Sequence, residues 1–180
     1  MCEEVLPGLF RNKIPLPYSP LKYLNSYIIR DSDRSLIVDT GLNRKECLDA
    51  MLKGLAVLGI DLSKSDIFIT HLHADHVTAL GALRDRTHCI TVMGEQSKVD
   101  VVSLRISDGD SIDIEGVSLT ALYTPGHTDD SYCFLMDDRV FTGDTLLIRG
   151  TGRTDFQHGD ASQQYDSIFG RLLTLPDDTL

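Results

Sequence analysis

The chain has 180 residues, with 42% apolar and 24% charged side chains, a composition that supports a sizeable packed core and excludes a disordered chain, a coiled coil or a fibre. Seventeen basic against 27 acidic residues give a formal charge of -10. An average surface of that sign repels phosphate backbones, so nucleic acid is not an expected partner, and an anionic substrate needs a locally placed arginine.

Pro7, Pro15, Pro17 and Pro20 break the first twenty residues into extended segments and turns. Tyr23 to Ile29 and Leu36 to Val38 read as apolar strands around the turn Asp31-Ser32-Asp33-Arg34. Asn43 is a candidate cap for a helix running to about Leu58, with Cys47, Met51, Leu55 and Leu58 at helical spacing and Gly59 as its stop. Ile67 to Thr70 is a short apolar strand that runs straight into a histidine cluster, after which Val77 to Leu83 reads as helical. From Cys89 the pattern turns mostly to strand: Ile90 to Met93, Val101 to Ile106, Ile112 to Ile114, Val117 to Leu122, Ser131 to Met136 and Arg139 to Phe141. Asp108-Gly109-Asp110, Glu115-Gly116 and Asp137-Asp138 supply the turns, and Gln163 to Leu173 is an amphipathic helix.

Ile37-Val38-Asp39-Thr40-Gly41 and Val140-Phe141-Thr142-Gly143-Asp144 each end a strand on a Gly/Asp/Thr cluster. Two mixed halves of this kind suggest a layered α/β arrangement in a single domain, residues 1–180. No apolar run approaches the roughly 18 residues of a membrane span. The start Met1-Cys2-Glu3-Glu4 lacks the order of a signal or transit peptide. Cys2, Cys47, Cys89 and Cys133 are scattered without a paired spacing, so reduced, mostly buried thiols and a cytoplasmic address are expected.

The chemistry concentrates in Thr70-His71-Leu72-His73-Ala74-Asp75-His76, where three histidines and an aspartate directly follow a strand. Imidazole and carboxylate donors on a rigid mount suit zinc, iron or manganese, and the absence of thiolates argues against a structural Cys-rich zinc site. A hydrogen-bonded polar loop is the bland alternative. His127, in Thr124-Pro125-Gly126-His127-Thr128, and Asp144, in Phe141-Thr142-Gly143-Asp144-Thr145, are further candidates because both also stand at strand ends.

These motifs together (His71-Leu72-His73-Ala74-Asp75-His76, Pro125-Gly126-His127 and Gly143-Asp144) resemble the metallo-β-lactamase superfamily, which implies an αββα sandwich with metal at one edge. More narrowly, Thr70 to Leu180 is similar to the persulfide dioxygenases, or ETHE1-like sulfur dioxygenases, above all over Phe141 to Phe156; residues 1 to 69 match only the general superfamily pattern. The resemblance implies one ferrous iron per chain, held by His71, His127 and Asp144 as a facial triad, with His73, Asp75 and His76 as orienting neighbours or as ligands of an alternative metal site. It implies Arg153, with Arg149 as a weaker companion, at the glutathione end of the pocket. The implied reaction oxidises glutathione persulfide with dioxygen to sulfite and releases glutathione, with no nucleic-acid or membrane partner and room for a homodimer. The family's usual C-terminal His-Asp-Tyr segment does not occur before Leu180, so the sandwich is expected to lack its last elements and substrate binding to be weaker. A zinc-dependent hydrolase similar to glyoxalase II, and an inactive metal-binding fragment, are the alternatives. The hydrolase's second zinc needs a further late histidine, and the remaining one, His158, reads as a surface residue.

Overall fold

A computed structural model of the chain describes residues 2–17, 22–71, 79–114 and 117–180. The first strands are β1 (Cys2–Leu6), β2 (Leu9–Pro15), β3 (Tyr23–Arg30) and β4 (Ser35–Val38), paired antiparallel in sequence order. After helix α1 (Lys45–Leu58), strand β5 (Ser65–Phe68) adds parallel to β4, and after α2 (Leu80–Thr87), β6 (Ile90–Gly94) adds parallel to β5. With β7 (Leu104–Ile106) they form a seven-stranded sheet in the order β1-β2-β3-β4-β5-β6-β7. The remaining strands, β8 (Ser111–Ile114), β9 (Val117–Tyr123), β10 (Tyr132–Met136) and β11 (Arg139–Phe141), form an antiparallel sheet in the order β11-β10-β9-β8. Helix α3 (Ala161–Gly170) follows.

The chain divides into two compact units: Met1–Ile69 with Asp75–Val92 and Val101–Leu104, and Thr70–Ala74 with Met93–Asp100 and Arg105–Leu180. In the first, every residue of β4 and β5 is buried, the pattern of strands paired in parallel and covered on both faces. Ile14, Ile28, Leu36, Ile37, Met51, Leu55, Ile67 and Phe68 form its core. Each such side chain contributes about 1.5–3 kcal/mol by leaving water. Gly54 lets α1 approach β2, since a Cβ there would lie 2.2 Å from Asn12 Nδ2. The second unit has Leu119, Tyr132, Cys133, Phe134 and Ile168 as its core.

Several boundaries differ from the sequence reading for local reasons. Helix α1 is capped by Arg44 rather than Asn43: the Arg44 N–H donates to Leu42 O at 2.8 Å, which holds residue 44 extended (φ -126°, ψ 150°). Its stop at Gly59 is as expected, with φ 67°. Strand β7 is shorter than Val101 to Ile106 because Thr91 intercepts the segment. The Thr91 hydroxyl donates to Val101 O at 3.0 Å and accepts from Ser103 N–H at 3.0 Å. Helix α3 starts two residues early because the Asp160 carboxylate accepts from the Ser162 and Gln163 N–H groups. It stops at Gly170, where Arg171 turns its guanidinium onto Tyr123 O and Asp108 Oδ1, both at 2.8 Å. Val77 and Thr78 of the expected second helix, and the Glu115-Gly116 turn, lie outside the described residues. All four cysteines are free thiols, three of them buried and Cys2 half-buried, as expected for reduced cysteines. Among the described residues no helix is long and apolar enough to cross a membrane.

Candidate metal centre

Strand direction brings three loops to one end of the antiparallel sheet. β9 ends there, β10 starts there and β11 returns there, so the β9–β10 loop carrying His127 and the segment after β11 carrying Asp144 are neighbours. The Tyr132 N–H, at the start of β10, donates to Thr70 O at 2.8 Å, which brings His71 to the same end. Gly143 turns with φ 51°, and a Cβ there would lie 2.6 Å from Thr70 Oγ1. A side chain would therefore push the Asp144 segment away from the His71 segment.

One donor atom from each of His71, His127 and Asp144 falls within a group no more than 4.8 Å across. Asp144 Oδ2 lies 3.6 Å from His127 Nε2 and 3.9 Å from His71 Nε2. The two imidazoles meet edge to face, with centroids 5.0 Å apart at 77°. Each ring is held by its other nitrogen. His127 Nδ1 lies 2.7 Å from Arg153 O, and His71 Nδ1 lies 2.9 Å from Thr70 Oγ1. A carbonyl only accepts, so the proton of neutral His127 sits on Nδ1 and the Nε2 lone pair is turned to Asp144. His127 is 4% exposed and Asp144 43%, so the group is walled on the histidine side and reachable from solvent on the carboxylate side.

Two imidazole nitrogens and one carboxylate oxygen, with no thiolate, fit a borderline divalent metal such as iron, zinc or manganese. Among the described residues three protein donors converge, one short of the four that close a structural zinc site. Gly152 completes the wall: its N–H donates to Asp144 O at 2.8 Å, and a Cβ there would lie 2.7 Å from His127 Nδ1.

The sequence-derived trio is thus brought together. His73, Asp75 and His76 lie outside the described residues. Arg153 is exposed and its guanidinium donates to both Asp155 carboxylate oxygens, at 2.8 and 3.0 Å, while lying 5.5 Å over the Phe156 ring. That guanidinium holds the Asp155 carboxyl below the usual carboxylate range. Arg149 is exposed in the left-handed conformation (φ 67°) beside the Leu147–Gly150 bridge. His158 is exposed, as expected for a surface residue. Sequence reasoning missed the Thr70 hydroxyl and the Arg153 carbonyl. The first had a signal, a hydroxyl residue beside a candidate ligand; a main-chain carbonyl has none.

A family model described as the metallo-beta-lactamase superfamily matches residues 21–100 and 94–180, and the chain belongs to that superfamily. Its fold is accordingly the metallo-β-lactamase fold, a metal-binding scaffold. Within the superfamily it is 38% identical over 168 residues to the human protein named persulfide dioxygenase ETHE1, mitochondrial, covering 91% of this chain and 64% of that one. It is also similar to the crystal structure of ETHE1 from Myxococcus xanthus, with 40% identity, a TM-score of 0.81, and coverage of 94% of this chain and 72% of that one. A hydroxyacylglutathione hydrolase from Rhodopseudomonas palustris BisA53 is 37% identical over 118 residues, or 63% of this chain. The chain therefore spans less than two thirds of the length of the human persulfide dioxygenase. The likeness to persulfide dioxygenases extends beyond the motifs into residues before Thr70, because 168 aligned residues exceed the 111 from Thr70 onward.

Proposed function

We propose that His71, His127 and Asp144 hold one ferrous iron and that the protein is a persulfide dioxygenase acting on glutathione persulfide. The observation that carries this reading is the convergence of two imidazole Nε2 atoms on one carboxylate oxygen, each ring held from behind through Nδ1. The likeness to proteins named as persulfide dioxygenases supports the choice of reaction. Iron held there supplies the one-electron chemistry that activates dioxygen, which no amino-acid side chain provides. In balance, one persulfide, one dioxygen and one water give glutathione and sulfurous acid; the outer sulfur is oxidised and dioxygen is reduced.

The chain's own residues position and orient. Arg153 O and Thr70 Oγ1 fix the ring planes, so the donors need no reorganisation. The Arg153 guanidinium supplies local positive charge on an acidic protein and would exchange Asp155 for a carboxylate of glutathione. Because that pair is exposed, its loss is a small penalty. Asp144, on the open side, faces the approach of substrate.

Elemental analysis of protein purified without added metal, with oxygen uptake on glutathione persulfide, tests the reading. About one iron per chain and uptake that needs the outer sulfur are expected, with both lost in His127→Ala, because two ligands hold a labile divalent ion poorly. Full iron occupancy in that variant would remove His127 from the site. Two tightly bound zinc ions with rapid turnover of S-lactoylglutathione would replace the dioxygenase with a hydrolase.

A further inference from the structure

His127 and Asp144 are 17 residues apart on separate loops, so nothing local in the chain fixes their separation. One helix touches the backbone beside both. The Gln164 side-chain amide donates through Nε2 to Thr145 O at 2.6 Å, on the residue after Asp144. Three residues on, the Ser167 hydroxyl donates to Pro125 O at 2.7 Å, two residues before His127. The Asp160 N–H, at the helix cap, donates to Gly126 O at 2.8 Å. Gln164 and Ser167 are 4% and 3% exposed; the Gln164 bond is buried and the Ser167 bond part-buried, so losing the first donor is the costlier of the two.

The same helix lies against the turn that carries His127. Gly126 has φ 138°, and a Cβ there would come within 2.3 Å of the Gln164 backbone. Between the two loops the Thr124 and Thr145 hydroxyls are 3.3 Å apart. The loops are therefore tied to each other through Thr145 Oγ1, which meets both the Thr124 hydroxyl and the Thr124 carbonyl, and to a common strut, α3, by three hydrogen bonds. A helix is stiff over one turn, and Gln164 and Ser167 lie on adjacent positions of one face.

We propose that Gln164 and Ser167 are positioning residues that set the distance between His127 and Asp144, and so the affinity and geometry of the metal held there. The inference rests on the metal-site reading above and extends it to side chains that touch no metal. Groups that orient ligands from behind are commonly worth about 10–100-fold in metal affinity.

Cobalt(II) alone is a suitable probe, because its visible bands report coordination geometry independently of turnover. The metal-free full chain is titrated, alongside Gln164→Met, Ser167→Ala and Ser167→Thr. Gln164→Met keeps the length of the side chain but removes the donor, and Ser167→Thr keeps the hydroxyl. Expected are an affinity lowered about tenfold in Gln164→Met with shifted bands, a smaller loss in Ser167→Ala, and recovery in Ser167→Thr. Variants whose melting temperature falls while the cobalt affinity and spectrum stay unchanged would reduce α3 to a purely structural element and overturn the proposal. If Gln164→Met does not fold, the Ser167 pair decides alone: equal spectra and affinities in Ser167→Ala and the parent overturn it. A parent chain that binds no cobalt, or binds it equally well as His127→Ala, overturns the metal-site reading and the positioning role with it. Parent binding with unaffected strut variants overturns only the latter.

Discussion

Single atoms behind the candidate ligands bear on what the site can hold. Thr70 is 1% exposed and places its hydroxyl 2.9 Å from His71 Nδ1. Thr70→Val should therefore weaken metal binding by about 10–100-fold, with Thr70→Ser restoring it, as measured by metal titration. Gly152→Ala introduces a methyl 2.2 Å from Asp144 O and 2.7 Å from His127 Nδ1. Overpacking of this kind costs about 1–3 kcal/mol, so a lower melting temperature and a lower metal content are expected together. Burial pushes the Cys133 thiol up to about 11 from 9.0, against weaker lowering by the Thr124 and Thr145 hydroxyls. The folded state keeps that proton after the unfolded chain has lost it. The resulting stability is complete below pH 9 and falls as pH rises towards 11, at about 1 kcal/mol per pH unit. Denaturation midpoints between pH 9 and 11 check the slope, which should flatten in Cys133→Ala. At this scale the trio was legible through the family resemblance of the His71, His127 and Asp144 motifs; a single histidine or aspartate at a strand end is more often simply solvated. The supporting carbonyl was not, since every residue carries one.

Among the elements, the strands and the end of α1 were legible from apolar runs and from Gly59, whose left-handed backbone is what a terminal glycine supplies. Apart from the start of α1, which a main-chain bond sets, the misplaced boundaries share a cause: side chains that bond to backbone. Thr91 holds Val101 and Ser103, Asp160 caps α3, and Arg171 bends the chain away after Gly170. The Thr91 and Arg171 bonds depend on partners distant in sequence and leave no trace in periodicity, whereas the Asp160 cap is local. Asp160→Ala removes the acceptor of two N–H groups and should cost about 0.5–2 kcal/mol, read as a fall in the denaturation midpoint. Since the Asp160 main-chain N–H also holds Gly126 O, fraying of that first turn should be accompanied by slower metal uptake and faster release in stopped-flow measurements.

Across the whole molecule, 27 acidic against 17 basic residues leave a net charge of -10, which would repel the proposed substrate, an anionic tripeptide persulfide, at long range. Salt shortens that repulsion to about 8–10 Å at 0.1–0.15 M. The expected outcome is a kcat/KM that rises with ionic strength up to that range, and a flat or falling profile would mean that the local field of the arginines dominates. The fold class was legible through the resemblance of a few motifs. Its division into two compact units was foreshadowed only by the faint echo between the Asp39 and Asp144 segments. One contact has a consequence for how such a site diversifies. His127 is held by the main-chain oxygen of Arg153, whose exposed side chain pairs with Asp155 instead. Ring orientation is therefore inherited from the path of the chain, while the guanidinium is a replaceable appendage. Position 153 can therefore drift, or be randomised in a library, without the histidine losing its main-chain anchor, so a substrate contact of the kind proposed for the guanidinium would be free to change independently of how His127 is held.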